Sequence, residues 1–295
     1  MTHGTATALG FGAILLWSLL AVLTAASGAV PPFQLAAMTF AVGGLLGCGS
    51  WLVRPEGLKA LRQPWSVWLL GVGGLFGYHA LYFAALRLAP PAEAGLINYL
   101  WPLLIVLLSA LLPRAGGLRA AHLLGALLGL AGVVALFAGR GTLDFAAGAA
   151  PGYAAAFAAA FVWSGYSVLS ARVGAVPTDA VAGFCLVTAA LSLLCHLAVE
   201  TTVWPADAPQ WAAVAALGIG PVGAAFYLWD IGVKRGDIRL LGVAAYAAPV
   251  LSTLLLVATG YAPATPALAL ACLLIVAGAL VAVRASRRLP REAAS

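Results

Sequence analysis

Charged residues are scarce in this chain of 295 residues. Asp, Glu, Lys and Arg make up 8% of it, while 63% is hydrophobic; a soluble domain usually carries about 25% charged residues. The composition therefore excludes a soluble globular protein and predicts an integral membrane protein. The net charge of +6 comes from cations between apolar runs and after the last one, not from a basic face interleaved with aromatics, so we do not expect nucleic acid as a partner.

Several motifs of enzymes are missing. No Gly-Lys pair occurs, because Lys59 follows Leu58 and Lys234 follows Val233, which excludes a phosphate-binding P-loop and ATP hydrolysis by this chain. Neither HExxH nor GxSxG is present. The cysteines all lie inside apolar runs and form no CxxC pair: Cys48, Cys185, Cys195 and Cys272. We therefore expect no metal, no cofactor and no enzymatic activity.

Long apolar runs dominate what remains. A helix that crosses a bilayer needs roughly 20 apolar residues, and breaks rich in proline and glycine divide the chain into ten such stretches. Because lipid leaves no backbone group unpaired, these stretches predict helices and an all-α membrane fold. The predicted spans are 5–26, 32–53, 65–86, 92–112, 120–138, 151–172, 178–199, 210–232, 240–260 and 267–284.

The second half of the chain repeats the first. The sequence GAVP occurs at 28–31 and at 174–177, and Trp17-Ser18 and Trp163-Ser164 keep the same shift of 146 residues. Downstream the shift becomes 147 and relates Gly71, Gly73, Gly95, Tyr99 and Pro102 to Gly218, Gly220, Gly242, Tyr246 and Pro249. We interpret this as an internal duplication of five spans, with copies at 1–145 and 146–295, the second ending in a short basic tail.

Lys and Arg indicate the orientation. One side holds 13 of them: Arg54, Lys59, Arg62, Arg114, Arg119, Arg172, Lys234, Arg235, Arg239, Arg284, Arg287, Arg288 and Arg291. The other side holds only Arg87 and Arg140, so the positive-inside rule predicts that both termini are cytoplasmic. Since five spans are an odd number, the second copy enters the membrane from the opposite side. The sequence thus predicts two inverted repeats around a central cavity, a recurrent design for alternating access.

Polar and aromatic side chains at membrane depth are candidates for a substrate pathway. His79 and Asn98 lie in antiparallel spans, each roughly 10 Å deep at 1.5 Å rise per residue, so they can meet at one level. The predicted pathway residues are Trp17, Tyr78, His79, Tyr82, Asn98, Tyr99, Trp101, Trp163 and Tyr246. Pro102 and Pro249 remove backbone donors at paired positions and are candidate kinks beside the cavity.

Each candidate has a purely structural alternative, an interhelical hydrogen bond or core packing. We expect Asp230 to pair with Lys234 at a span end and Glu93 to be a solvated cap at a helix start. No carboxylate is then left deep in a span as a proton or sodium site, and His79 is the central group that titrates near neutral pH. A neutral aromatic lining suits a small amphipathic solute with a ring rather than a polyphosphate.

The ten spans, arranged as inverted five-span repeats with short loops, resemble the drug/metabolite transporter superfamily in its EamA-type branch. The resemblance covers nearly the whole chain, and its motifs are the two Trp-Ser pairs, the repeated GAVP, GYHALYFAAL at 77–86 and EAGLINYLWPLL at 93–104. It implies a carrier in the bacterial inner membrane that exports aromatic and other amino acids from the cytoplasm by alternating access. The third and fourth spans would contribute to its cavity.

Two alternatives to this function stay open. An exporter of other small metabolites or drugs would share the fold, although cationic drugs favour an acidic residue in the cavity. An intramembrane enzyme or a receptor is less favoured, because neither requires pseudo-symmetry. We expect the carrier to bind a small molecule and to act as a monomer in the bilayer.

Overall fold

The computed structural model describes residues 1–52, 55–112, 119–139, 141, 143, 145–258 and 263–287. In this part of the chain the regular structure is helical, without strands, and ten helices are long and apolar enough to cross a membrane. We number them α1 to α10: His3–Ala26, Pro32–Ser50, Trp65–Leu88, Pro91–Leu111, Ala120–Ala138, Ala147–Arg172, Ala180–Val199, Ala208–Arg235, Ile238–Ala258 and Pro266–Arg284.

The prediction of an all-α fold with ten spans is confirmed. Each helix boundary lies within about four residues of its predicted position, as expected where helix ends fray. The predicted span ends at 53 and 260 lie outside the described residues. The same holds for the cations Arg54, Arg114, Arg140, Arg288 and Arg291.

The helices alternate in direction, so the described cations gather at one end of the bundle. This end, where α1 begins, carries Lys59, Arg62, Arg119, Arg172, Lys234, Arg235, Arg239 and Arg284, and we call it the basic end. Arg87, at the end of α3, lies at the other end, which we call the opposite end.

Two helices contain π-helical turns at equivalent positions. In α3 the turn is Gly73–Gly77, and in α8 it is Gly220–Ala224, 147 residues later. π-Helical turns inside α-helices occur often at functional sites. Here each turn directly precedes the helical segment that carries the aromatic side chains of the centre.

The two candidate kink prolines follow breaks in α4 and α9. The first helix is divided into Pro91–Asn98 and Trp101–Leu108, the second into Ile238–Ala244 and Ala247–Ala258. Pro102 and Pro249 stand near the start of the second segment in each case. Proline donates no hydrogen bond to the carbonyl four residues earlier, which accounts for a break at both places.

Helices that occupy the same place in the two repeats pack against each other. α2 packs against α7, where a Cβ added at Gly47 would lie 2.6 Å from the Cβ of Ala182. α5 packs against α10, where a Cβ added at Gly125 would lie 2.7 Å from the carbonyl oxygen of Gly278. Both pairs are antiparallel, since contacts move down one helix as they move up the other.

The remaining six helices form two groups. α3 and α4 pack on α6, and we call these three helices the first group; α8 and α9 pack on α1, and they form the second group. α1 and α8 approach so closely that a Cβ on Gly232 would lie 2.7 Å from the Cα of Gly10. The groups contact each other through their basic-end halves, Ala225–Arg235 against α6 and Ile238–Ala244 against Trp101–Leu108.

Candidate functional site

Five aromatic rings meet where the two groups face each other. The ring centroid of Trp17 lies 5.6 Å from that of Trp163 and 5.0 Å from that of Trp229. It is also 6.2 Å from both Trp101 and Phe226. We call these five residues the central aromatic cluster. Trp17 and Trp163 are equivalent in the two repeats, so their contact lies where an axis relating the repeats would pass.

Four residues of α3 extend this cluster towards the opposite end: Tyr78, His79, Tyr82 and Phe83. The ring of Tyr78 lies 5.4 Å from that of Trp163 and stacks on Tyr82 at 6.0 Å, with 10° between the planes. The ring of His79 lies 5.9 Å from that of Phe83. All four side chains are partly exposed, and we call them the vestibule residues. Partly exposed aromatic rings offer stacking surfaces to a ligand.

Two polar side chains accompany these rings. His79 Nδ1 lies 2.7 Å from the carbonyl oxygen of Leu75; a carbonyl only accepts, so Nδ1 carries the proton and Nε2 of the neutral ring is an acceptor. The amide nitrogen of Asn98 donates to the hydroxyl of Tyr78 over 3.1 Å. The Asn98 carbonyl oxygen has no hydrogen bond partner in the described part of the chain. The site therefore presents two uncharged acceptors next to aromatic rings.

Below the central aromatic cluster, towards the basic end, the interface is closed. Trp229 is fully buried, and its indole nitrogen donates to the hydroxyl of Ser167 over 3.0 Å. The hydroxyl of Ser164 lies 2.9 Å from the carbonyl oxygen of Trp101. The indole nitrogen of Trp17 donates to the carbonyl of Pro221, within the π-helical turn of α8, over 3.1 Å. The first two bonds tie α8 and α4 to α6, and the third ties α1 to α8 about two turns nearer the opposite end.

Seven of the nine predicted pathway residues come together here: Trp17, Tyr78, His79, Tyr82, Asn98, Trp101 and Trp163. The other two face α5. Tyr99 has its ring 6.0 Å from that of Phe137, and Tyr246 is fully buried against Gly129. Both stand in the break of their helix, which turns them away from the neighbours that carry the site.

Three aromatic residues of the site were not predicted: the vestibule residue Phe83, and Trp229 and Phe226. Trp229 and Phe226 belong to the central aromatic cluster, and Phe226 stacks on Phe40 of α2 at 5.5 Å. The signal for the last two was present, because a shift of 147 residues takes Tyr82 to Trp229 and His79 to Phe226. Applying the repeat to the third predicted span would have found both.

The predictions for two carboxylates, Asp230 and Glu93, had different outcomes. Asp230 and Lys234 form the expected ion pair, 2.8 Å apart, so that prediction is confirmed. The prediction of a solvated Glu93 is wrong, because only 4% of this residue is exposed. It stands in the first turn of α4, where neighbouring helices cover it. Among the described residues, no group of three or more His, Cys, Asp or Glu side chains could hold a metal ion.

Ten helices of membrane-spanning length, with an aromatic site between two helix groups, are typical of a membrane carrier. The profile of the EamA-like transporter family matches residues 5–138 and again residues 150–284. The chain therefore belongs to the EamA-like transporter family, and it is a multi-pass membrane transporter rather than an enzyme.

Relatives cover the whole chain. It is 62% identical over 289 residues to the aromatic amino acid exporter YddG of Ancylobacter novellus, covering 98% of this chain and all of that protein. The proteins of the same name from Salmonella typhimurium and Escherichia coli are each 27% identical and also covered completely. A crystal structure of a protein 61% identical to this chain matches the fold with a TM-score of 0.93, over 98% of this chain.

Proposed function

We propose that the chain consists of two inverted five-helix repeats, at residues 1–145 and 146–295, with the basic end in the cytoplasm. The antiparallel packing of α2 on α7 and of α5 on α10 supports inversion, because each pair joins helices from the same place in the two repeats. The described cations at the basic end support the orientation, since Lys and Arg accumulate on the cytoplasmic side. Both termini are then cytoplasmic.

The proposed activity is export of aromatic amino acids across the bacterial inner membrane by alternating access. The contact of Trp17 with Trp163 is the observation that carries it: equivalent rings of the two repeats meet between two helix groups that can rock against each other. Relatives named aromatic amino acid exporters at up to 62% identity support the substrate class. The carrier needs neither a cofactor nor nucleic acid, and one chain suffices, since both groups come from it.

The substrate ring would stack on Tyr78 and Tyr82, because these rings are parallel and partly exposed. Nε2 of His79 would accept a hydrogen bond from the α-ammonium group. The vestibule residues are partly exposed, whereas Trp229, on the basic-end side of the cluster, is fully buried. With the proposed orientation, the carrier is therefore in a state that faces the outside.

Counterflow in proteoliposomes tests this function. Purified protein in liposomes preloaded with phenylalanine or tryptophan should accumulate the labelled amino acid from outside. The variant Tyr82→Leu should reduce this exchange about fivefold, since a lost ring contact is worth roughly 0.5–1.5 kcal/mol. Tyr153→Leu is the matched control: this tyrosine packs on Phe145 at the same end, outside the vestibule, and its exchange should equal that of the parent.

Absence of flux for every amino acid would rule the proposal out. Flux confined to amino acids without a ring would instead support the alternative of an exporter for other metabolites. Equal losses in Tyr82→Leu and Tyr153→Leu would place the substrate elsewhere in the bundle.

A further inference from the structure

The second copy of GAVP, residues 174–177, is held by a buried ion pair at the basic end. Lys234 Nζ donates to the carbonyl oxygen of Val176 over 2.9 Å and lies 2.8 Å from Asp230. The same carboxylate accepts a hydrogen bond of 2.7 Å from the hydroxyl of Thr178. The side chain of Lys234 is only 4% exposed. This loop, which follows α6 of the first group, is thereby tied to α8 of the second group.

The first copy, residues 28–31, has the same letters and a different environment. Gly28 has a φ of +78°, in the left-handed region, whereas Gly174 does not. A Cβ on Gly28 would lie 2.7 Å from the amide carbon of Gln210, at the start of α8. The first loop thus packs on α8.

Arg87 is the equivalent of Lys234, since it lies 147 residues earlier at the end of α3. Arg87 does not bind the first loop. Its guanidinium lies 3.3 Å from the carboxylate of Glu200, and half of the Arg87 side chain is exposed. Glu200 also accepts from the backbone N–H groups of Phe33 and Gln34 and from His196, at 3.0–3.1 Å. Glu200, whose side chain is 2% exposed, would therefore keep three hydrogen bonds if Arg87 moved away.

Arg87 is also close to the first loop. The ring of Phe83, one turn earlier in α3, lies 5.3 Å from that of Phe33, which follows the loop. These two residues stand where Asp230 and Asp179, the neighbour of Thr178, stand in the second repeat. The second repeat thus shows a cation docked on its loop, and the first repeat has a cation and a loop at the equivalent positions, but undocked.

We propose that the two GAVP loops are alternating docking points for the cations at the ends of α3 and α8. While the basic end is closed, Lys234 holds the second loop; when the opposite end closes, Arg87 leaves Glu200 and docks on the backbone carbonyls of the first loop. This inference rests on the proposed inverted repeats and alternating access. It assigns Arg87 and Lys234 as positioning residues of the transport cycle, remote from the substrate.

We call the two docked arrangements, Lys234 on the second loop and Arg87 on the first, the latches, and they differ in strength. Phe83 replaces Asp230 in the first repeat, so Arg87 would dock on carbonyls alone, without a buried carboxylate. A buried ion pair with hydrogen bonds is costly to break. The carrier should therefore rest with its basic end closed, as the structure shows.

Labelling of a buried reporter tests the inference without any substrate. Ser170, in the basic-end half of α6, is 3% exposed, and Ser170→Cys in a background lacking the four native cysteines reports opening of that end. Lys234→Met should raise the labelling rate about tenfold, because Asp230 is left buried without its cation. Arg87→Met should lower it about threefold, because the alternative state loses its latch. The exposed neighbour Arg235→Met is the matched control and should leave it unchanged.

Unchanged labelling in the soluble, monodisperse Arg87→Met variant would overturn the proposal, whatever Lys234→Met does. Equal effects of Lys234→Met and Arg235→Met would also overturn it, since net charge would then be the cause. Counterflow on the same variants separates the two claims. If labelling shifts as expected but no amino acid is transported, the docking proposal stands and the proposed substrate is rejected. If amino acids are transported but labelling does not change, the proposed substrate stands and the docking proposal is rejected.

Discussion

The side chains of the candidate site are aromatic rings and uncharged polar groups. The central aromatic cluster and the vestibule residues provide ring faces, and the polar groups beside them, His79 and Asn98, offer acceptors without a fixed charge. Such a site distinguishes ligands by shape and stacking. It also avoids the cost of keeping an unpaired ion within the bilayer.

His79 is the residue whose removal should affect substrate recognition most directly. His79→Ala should lower the exchange of phenylalanine about tenfold, since a hydrogen bond to a charged group is worth roughly 1.5 kcal/mol or more. His79→Gln should lose less, because its amide oxygen can also accept. Rates of counterflow at several substrate concentrations would measure both effects.

His122→Gln provides the comparison for that variant. This histidine is fully buried in α5, away from the vestibule, so its replacement tests whether loss of a buried histidine remote from the site is enough to lower exchange. A loss of exchange in His122→Gln equal to that in His79→Ala would remove the case for a direct contact.

The sequence correctly predicted site residues where the depth of a residue in the membrane was enough to place it in the site. Trp17 and Trp163 each lie near the middle of a span, and the structure brings their rings together. Tyr99 and Tyr246 share that depth, yet they face α5. Depth follows from residue number at 1.5 Å per residue, but the direction of a side chain depends on helix rotation. A helix apolar on all sides gives no pattern from which rotation could be read.

At the scale of the helices, small residues allow close contacts between neighbouring backbones. α1 and α8 cross at Gly10 and Gly232, where backbone meets backbone, a use of small residues that is common in membranes. The breaks at Pro102 and Pro249 could be anticipated from proline chemistry. The π-helical turns could not, because no residue type specifies an additional residue in a turn.

The crossing of α1 and α8 predicts a specific loss of stability. In Gly232→Ala the new methyl group would meet the Cα of Gly10, which cannot move aside as a side chain would. We expect the free energy of unfolding to fall by about 1–3 kcal/mol, measured as a lower thermal midpoint in detergent.

Gly165→Ala is the control for that substitution. A Cβ at Gly165 would meet no atom within 4 Å, and alanine favours a helix by up to about 1 kcal/mol over glycine. This variant should be as stable as the parent or slightly more so. A Gly232→Ala variant that melts at or above the parental midpoint would show that the helices can separate at no cost.

At the scale of the whole molecule, the proposed orientation rests on a few charges at the ends of the bundle. Arg62→Cys and Thr201→Cys place reporters at two exposed positions, one at each end. In a cysteine-free background, a membrane-impermeant thiol reagent added to intact cells should label Thr201→Cys only. Opened cells should allow both to react. Labelling of both positions in intact cells would contradict the proposed topology.

The overall architecture was the part most open to prediction. Ten spans and a duplication follow from hydropathy and a constant shift in residue number, which the twofold match to the family profile supports. Which end is closed depends on contacts such as Trp229 with Ser167. These arise from the free energy difference between two arrangements of the same chain, and no local pattern encodes that difference.

The paired π-helical turns also bear on how this molecule arose. A π-helical turn closes its hydrogen bonds over five residues instead of four, and both halves carry one at the same place. Under the proposed duplication, this turn predates the fusion of the halves into one gene. On that proposal, the half-length ancestor already carried the turn, inserted into the membrane in both directions and assembled head-to-tail with a copy of itself.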